Sequence, residues 1–214
     1  MDMAKKGLEK NCAYFHTITG QCRIVKSIPI FEEFFEAHAH QNYIQHFALP
    51  DPNWDGLKEP RLDRVKYYQL HDIIDAKKLG IIFGVLNNSL KSIQKIIGIN
   101  RLRDRTYYGG IVYFSINKEA MQYLELHWRT IHQEFKFTFC CEETVPQTIL
   151  LNSPSYIKDT MVNFDLRYML WDFQNGENPG ILDERNLPEI QKTEYLFARK
   201  FDSRFSSTLI QALR

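Results

Sequence analysis

The chain has 214 residues, enough for one domain with a substantial core, and 44% of them are hydrophobic and 14% aromatic. That richness, with 15 Phe and 11 Tyr, excludes a disordered chain, and a formal net charge of +1 excludes a global field drawing in nucleic acid or a membrane. The four cysteines (Cys12, Cys22, Cys140 and Cys141) show no C-x-x-C spacing, so buried reduced thiols are expected and a zinc site is not.

The opening Met1-Asp-Met-Ala-Lys-Lys is polar, unlike a secretory leader, and no apolar run is long enough to span a bilayer. The expectation is a soluble, cytoplasmic protein, at most peripheral to a membrane, or a fragment cut from something larger. Residues 3–10 read as the tail of a helix. The near-continuous apolar run Cys12-Ala-Tyr-Phe-His-Thr-Ile-Thr19 reads as a strand buried on both faces, as in a parallel sheet, ending at Gly20. Pro29-Ile-Phe-Glu-Glu-Phe-Phe-Glu36 carries apolar residues at helical spacing. Asn42-Tyr-Ile-Gln-His-Phe47 and Arg64-Val-Lys-Tyr-Tyr-Gln-Leu70 alternate as short strands, with a loop at Pro50-Asp-Pro-Asn-Trp-Asp-Gly56 and Pro60 between them.

From Ile74 to Ile99 the pattern is helical or irregular, and it leads into a basic run of Lys91, Lys95, Arg101, Arg103 and Arg105, broken by Asp104. A solvated helix face and loop is the reading of that run. Tyr107-Tyr-Gly-Gly-Ile-Val-Tyr-Phe-Ser115 predicts a strand, with Ser115 as N-cap of a helix over Asn117–Trp128 that puts Ala120, Met121, Leu124 and Trp128 on one face. Pro146 is a good helix opener, and a helix is expected over Glu142–Leu151. A strand near Leu166-Arg-Tyr-Met-Leu-Trp171, a loop over residues 174–180, a short helix near Leu187–Gln191, the block Leu196-Phe-Ala-Arg-Lys-Phe-Asp202 and a terminal helix complete the chain. Strands alternating with helices indicate an α/β fold, read as one domain over residues 1–214.

The motifs that usually announce chemistry are missing: no G-x-x-x-x-G-K-[ST], G-x-G-x-x-G, G-x-S-x-G or H-E-x-x-H occurs, and no Asp-x-Asp that would hold a cation on a sugar-nucleotide diphosphate. Lys and Arg could neutralise such a diphosphate instead. His38 and His40 fall on different helix faces, and His16 in its apolar strand reads as a satisfied core residue. Tyr107-Tyr-Gly-Gly110 fits either a tight turn with packed aromatics or a surface on which a sugar stacks. Glu142 and Glu143, at a strand-to-helix junction, are on spacing alone first-turn acids that favour the helix dipole by ~0.3–1 kcal/mol. By the same reasoning Arg199-Lys200 is surface charge.

A family resemblance changes those odds. Tyr14-Phe-His-Thr-Ile-Thr-Gly-Gln21, followed by Lys26-Ser27, resembles the Y-F-H-L-I-S-G-Q-D-x-P-L-K-S segment of glycosyltransferase family 14, which contains the core 2 and I-branching β-1,6-N-acetylglucosaminyltransferases and the protein xylosyltransferases. Tyr107-Tyr-Gly-Gly110 with Ser115 and Ala120 is similar to its Y-G-S-x-W-W-S-L-x-x-x-A segment. Phe139-Cys-Cys-Glu-Glu-Thr-Val-Pro-Gln-Thr-Ile-Leu-Leu-Asn-Ser-Pro154 resembles P-D-E-x-x-x-Q-T-I-L-x-N-S-P. Leu166-Arg-Tyr-Met-Leu-Trp171 and Leu196-Phe-Ala-Arg-Lys-Phe-Asp202 resemble the closing blocks L-R-Y-x-x-W and L-F-A-R-K-F-D.

The resemblance implies a GT-A-like, Rossmann-related fold and inverting, metal-independent transfer of N-acetylglucosamine or xylose from a UDP-sugar to a glycan hydroxyl, as in polysaccharide biosynthesis. It places the general base on Glu143 and a diphosphate contact on Lys200, with Arg185 and Arg199 as candidates for a second cation. Tyr108, Gly109, Gly110 and Glu142 are the candidate substrate contacts. UDP-sugar and a glycan acceptor are the implied partners, with no metal and no nucleic acid. Two departures stand out: Gly20-Gln21-Cys22-Arg23-Ile24 lacks the acid and proline of G-Q-D-x-P, and the family carries further strands ahead of Tyr14. The expected domain is therefore N-terminally shortened, and the alternative is a non-catalytic relic that binds glycan without transfer.

Overall fold

The computed structural model describes residues 2–51, 62–192 and 194–213, with the backbone alone at Thr130, so the predicted loop lies largely outside the described residues. Helix α1 (Asp2–Glu9) leads to strand β1 (Tyr14–His16), the two-residue β2 (Arg23–Ile24) and helix α2 (Ile28–Ala37). Ser27 opens α2 in extended conformation with Pro29 in its first turn, and Phe31, Phe34 and Phe35 fall on one face. β3 (Asn42–Ile44) and β4 (Phe47–Ala48) follow, then α3 (Asp63–Lys66), α4 (Ala76–Leu79) and α5 (Ile81–Ile96). The second half runs β5 (Tyr108–Gly109), β6 (Phe114–Asn117), α6 (Lys118–Glu134), α7 (Val145–Leu151), α8 (Ser155–Lys158), β7 (Met161–Val162), β8 (Arg167–Met169), α9 (Leu187–Lys192), β9 (Phe197–Arg199) and α10 (Ser207–Ala212).

The fold is mixed α/β. One sheet has the order β1-β6-β3-β7, antiparallel except for the parallel β3–β7 pair; a second has the order β2-β9-β8, with β8 and β9 parallel; β4 and β5 form an antiparallel ribbon. The largest core lies where Ile44, Phe114 and Ile116 meet Leu124, Ile149 and Leu150 of α6 and α7. All seven residues of α7 are buried. A second cluster packs Leu182, Ile190 and Leu209 around Ala198, and an aromatic third, with Phe35, Tyr43 and Phe197, joins the two larger sheets.

Several local expectations are corrected. The Tyr14–His16 strand lies at a sheet edge, half-buried, and pairs antiparallel with β6 rather than within a parallel sheet. Its run is apolar because the pleat serves two clusters, Phe15 entering the large core while Tyr14 packs into the aromatic one. Arg64–Leu70 is not a strand: it is α3 followed by backbone with no strand partner among the described residues, where Gln69 N donates to the Phe137 carbonyl at 2.7 Å and Tyr68 is held by a side chain. Tyr68 N donates to Gln94 Oε1 at 2.8 Å, and Gln94 Nε2 donates to the Tyr68 carbonyl at 2.9 Å. The N-cap of α6 is Asn117, whose Oδ1 accepts from Ala120 N at 3.0 Å, because Ser115 is taken up inside β6 opposite His16. The helix after Glu142 begins at Val145. The cysteines are reduced, but Cys12 is exposed and the other three are half-buried. Among the described residues no helix is long and apolar enough to cross a membrane.

The predicted 107–115 strand is split at Gly110. A Cβ there would stand 2.0 Å from the Gln45 carbonyl oxygen and 3.0 Å from Gln147 Nε2, so the absent side chain lets two backbones meet where β4 and β5 pair. Gly110→Ala is expected to destabilise the fold by about 1–3 kcal/mol in urea unfolding. Gly20→Ala, whose Cβ would meet nothing within 4 Å, should stay within about 0.5 kcal/mol of the parent.

Candidate functional site

The acidic pair stands on a 3-10 turn, Cys141–Glu143, entered through Cys140 in the left-handed region (φ 51°) and left through Thr144 (φ −136°). The turn is tied to the β5 ribbon by Gly110 N, which donates to the Glu143 carbonyl at 3.0 Å. The two carboxylates go different ways. Glu143 is half-buried and its Oε2 accepts from Arg64 Nη1 at 3.0 Å, while the Arg64 guanidinium carbon lies 4.9 Å from the Phe139 ring centroid. Glu142 is exposed and, with His16, Thr17, Val112, Trp128 and Pro146, lines a cavity of about 340 Å³.

Of the other predicted contacts, Tyr108 is half-buried in β5, where its amide donates to Thr148 Oγ1 at 3.0 Å and its ring meets His46 edge-on at 6.4 Å. Gly109 pairs with Phe47 in the ribbon. The glycine pair is therefore accounted for by internal packing. Lys200 Nζ donates to Glu177 Oε2 at 2.5 Å. Glu177 sits on a tight turn in which Asn175 (φ 53°) and Gly176 (φ 87°) occupy the left-handed region. Arg185 is committed to its own loop: Nε and Nη2 donate to the two oxygens of Asp183 at 2.9 and 2.6 Å. That two-pronged bond, with help from Asn175, holds Asp183 down at about 2.

The strongest electrostatic feature was not among the predicted residues. Arg167 in β8 is buried at the seam of the two larger sheets, its guanidinium carbon 3.8 Å from the Tyr113 centroid and 5.1 Å from that of Phe197. Its Nη2 donates to the Thr17 carbonyl at 3.1 Å; its Nε and Nη1 are buried with no oxygen or nitrogen acceptor, and the Cys22 thiol beside the guanidinium is a weak one. Arg199 of β9 lies over the same Tyr113 ring at 5.0 Å and also keeps a buried Nε without an acceptor. Register explains the convergence: Arg167 is opposite Phe197 and Met169 opposite Arg199, so all four side chains share one sheet face. The cue available in the sequence was a single charge inside the apolar stretch Leu166–Trp171.

The seam perturbs its neighbours. His16 is half-buried among Phe31, Phe35 and Phe197, with Nδ1 2.9 Å from Ser115 Oγ, and burial with the nearby Arg167 charge pushes its pKa down to about 4. Asp165 is buried with Oδ2 lacking a donor, and burial raises its pKa to about 6 although Arg167 pulls the other way. Burial also lowers Arg167 and Arg199, and Cys22 is near enough to both to pull them back up. Cys22 lines a second cavity, of about 170 Å³, with His16, Ile18, Phe31 and Phe197. Among the described residues no group of three or more His, Cys, Asp or Glu could hold a metal ion. No protein-family model matches the chain, and no curated protein matches it.

His16 and Asp165 make opposite contributions to acid stability. Between about pH 4 and 6.5 the unfolded chain binds a proton at His16 that the fold refuses, so this term gains stability as pH rises. Between about pH 4 and 6 the fold holds a proton at Asp165 that the unfolded chain has released, so this term loses stability as pH rises. Asp165→Asn should unmask the His16 slope, about 1.4 kcal/mol per pH unit, in urea titrations from pH 4.5 to 6. His16→Gln should leave the opposite slope. Two parallel pH profiles would contradict the assignment.

Proposed function

We propose that this chain is an inverting, metal-independent glycosyltransferase that moves N-acetylglucosamine or xylose from a UDP-sugar to a glycan hydroxyl, on a GT-A-like frame. The observation that carries the proposal is the pair of guanidiniums, Arg167 and Arg199, stacked on the Tyr113 ring at a sheet seam with three buried N–H-bearing nitrogens lacking oxygen or nitrogen acceptors. Two like charges drawn out of water against one perturbed carboxylate, Asp165, leave the seam with an excess of positive charge. A diphosphate relieves that excess, and it is the leaving group that a sugar-nucleotide reaction must stabilise.

In this reading the acceptor oxygen attacks the anomeric carbon from the face opposite the nucleotide. The carbon–oxygen bond to the β-phosphate breaks, and its electron pair leaves with UDP. The Glu143 carboxylate takes the acceptor proton, oriented by Arg64 at 3.0 Å. Arg167 and Arg199 take up the charge that develops on the diphosphate. Lys200, one residue beyond β9, reaches it by exchanging its Glu177 partner. Glu142, on the lip of the 340 Å³ cavity, is placed for the acceptor sugar. The non-catalytic glycan-binding alternative is favoured by one observation, that Glu143 is already occupied by Arg64.

Isothermal titration with UDP separates the readings: the transferase reading expects binding in the micromolar range, and absence of binding up to millimolar UDP ends it. Arg199→Gln is expected to weaken UDP about tenfold, the order of one charge-assisted hydrogen bond. Glu143→Gln should abolish transfer and leave UDP affinity intact. If Glu142→Gln abolishes transfer while Glu143→Gln does not, the base is the cavity-lining carboxylate instead.

A further inference from the structure

Helix α5 buries only a narrow strip. Phe83 and Gln94 are buried, and Asn87, Leu90 and Lys91 are half-buried, all within one arc of the helical wheel. On the opposite side Ile81, Ile82, Val85, Ile93, Ile96 and Ile97 are exposed, Ile81 at 88% and Ile96 at 85%. At 100° per residue these side chains form one continuous stripe about 160° wide, broken only by Ser89 and Ser92. Isolated exposed apolar residues are ordinary, but a run of branched aliphatics on one helix face marks an interaction surface.

Charge decides what it meets. From Ala76 to Arg103 the sequence holds six cations (Lys77, Lys78, Lys91, Lys95, Arg101 and Arg103) and no carboxylate. The chain has 27 cations and 26 carboxylates, so everything outside this stretch carries 21 against 26. Along the sequence the positive charge is thus concentrated in the stretch that carries the apolar stripe, with Asp75 at the α4 N-cap and Asp63 beside Lys91 and Lys95 as nearby acids. Lys77 and Lys78 are exposed in the turn just before the stripe, and Lys95 flanks it on α5. Lys91 and Lys95 share Asp63 at 3.0 and 3.4 Å, and Arg101 donates to the Glu134 and Lys136 carbonyls at 2.7 Å. Those carbonyl bonds leave the Arg101 charge in place.

We propose that α5, with the lysines of α4, docks this protein on an anionic lipid bilayer, the stripe entering the headgroup–acyl boundary and the cations meeting lipid phosphates and carboxylates. An apolar helix face bordered by lysines has this complementarity built in. A second copy of the chain would bring like charges together around the same stripe. The inference does not depend on the transferase reading.

The test is co-sedimentation of the full chain with phosphatidylcholine vesicles, with and without about 30% phosphatidylserine. Binding to the anionic vesicles, weaker at high salt and weaker still on pure phosphatidylcholine, is the expected result. Val85→Glu combined with Ile93→Glu, both at exposed positions, should lower partitioning at least about tenfold with an unchanged circular dichroism spectrum. Lys77→Glu combined with Lys78→Glu should remove most of the preference for phosphatidylserine. No sedimentation with anionic vesicles would overturn the proposal, and so would equal binding of the Val85→Glu, Ile93→Glu protein. A concentration-dependent dimer in sedimentation velocity that those two substitutions dissolve would assign the stripe to a second copy instead.

Discussion

Arg167 stands in β8 where the three-stranded and four-stranded sheets face each other, and its contacts hold that seam. Its Nη2 donates to the Thr17 carbonyl just beyond β1, and its plane lies on Tyr113, ahead of β6, and on Phe197 of β9. One side chain thus ties β8 to three other chain segments across both sheets. Taking a guanidinium out of water costs several kcal/mol. A desolvated cation–π contact returns about 2 kcal/mol, and the aromatic walls exclude the water that would weaken it. Two titratable neighbours are perturbed there, first by burial and then by the Arg167 charge. His16 is held neutral, and Asp165 is caught between burial, which opposes its charge, and Arg167, which favours it.

This seam also shows how much of the molecule was legible in the sequence. Helix α6 could be read from the helical spacing of its apolar residues, which pack into a continuous core, whereas α7 was signalled by Pro146 and is buried on every side. The α/β class followed from the order of elements. Pairing did not. Tyr14–His16 looked like an interior parallel strand because both its faces meet apolar clusters, yet it is an edge strand paired antiparallel. Arg64–Leu70 looked like a strand because its residues alternate, but there Tyr68 bonds the side-chain amide of Gln94, 26 residues along the chain, and Gln69 N donates to the Phe137 carbonyl. A ladder between strands and a side-chain amide satisfy the same donors and acceptors, and no local pattern distinguishes them.

The candidate site was legible in kind and less so in membership. Glu142 and Glu143 are adjacent, so sequence could nominate both but not say which way each would turn. That depends on the left-handed Cys140 and on Thr144, which together shape the 3-10 turn. The turn sends Glu143 to Arg64, on a helix 79 residues earlier, and leaves Glu142 on the cavity. Arg185, nominated by the family resemblance, instead donates both prongs of its guanidinium to Asp183, whose capping box is closed by Asn186.

The block Leu196-Phe-Ala-Arg-Lys-Phe-Asp202 carries the sharpest separation. Arg199 and Lys200 are neighbours in sequence but meet different partners, an aromatic ring and a carboxylate. Arg199 takes the inner face with Phe197 and joins Arg167 on Tyr113, whereas Lys200 turns to Glu177 beside the Asn175–Gly176 turn. Both cations are half-buried at the end of β9, one against an aromatic ring and one in an ion pair. Arg199 takes its place from the β8–β9 register, opposite Met169. The lysine supplies charge on a flexible stem whose partner, Glu177, is 41% exposed and can yield it to a better acceptor. Two cations adjacent in the chain are thus held in different ways, Arg199 against the Tyr113 ring and Lys200 by the Glu177 carboxylate.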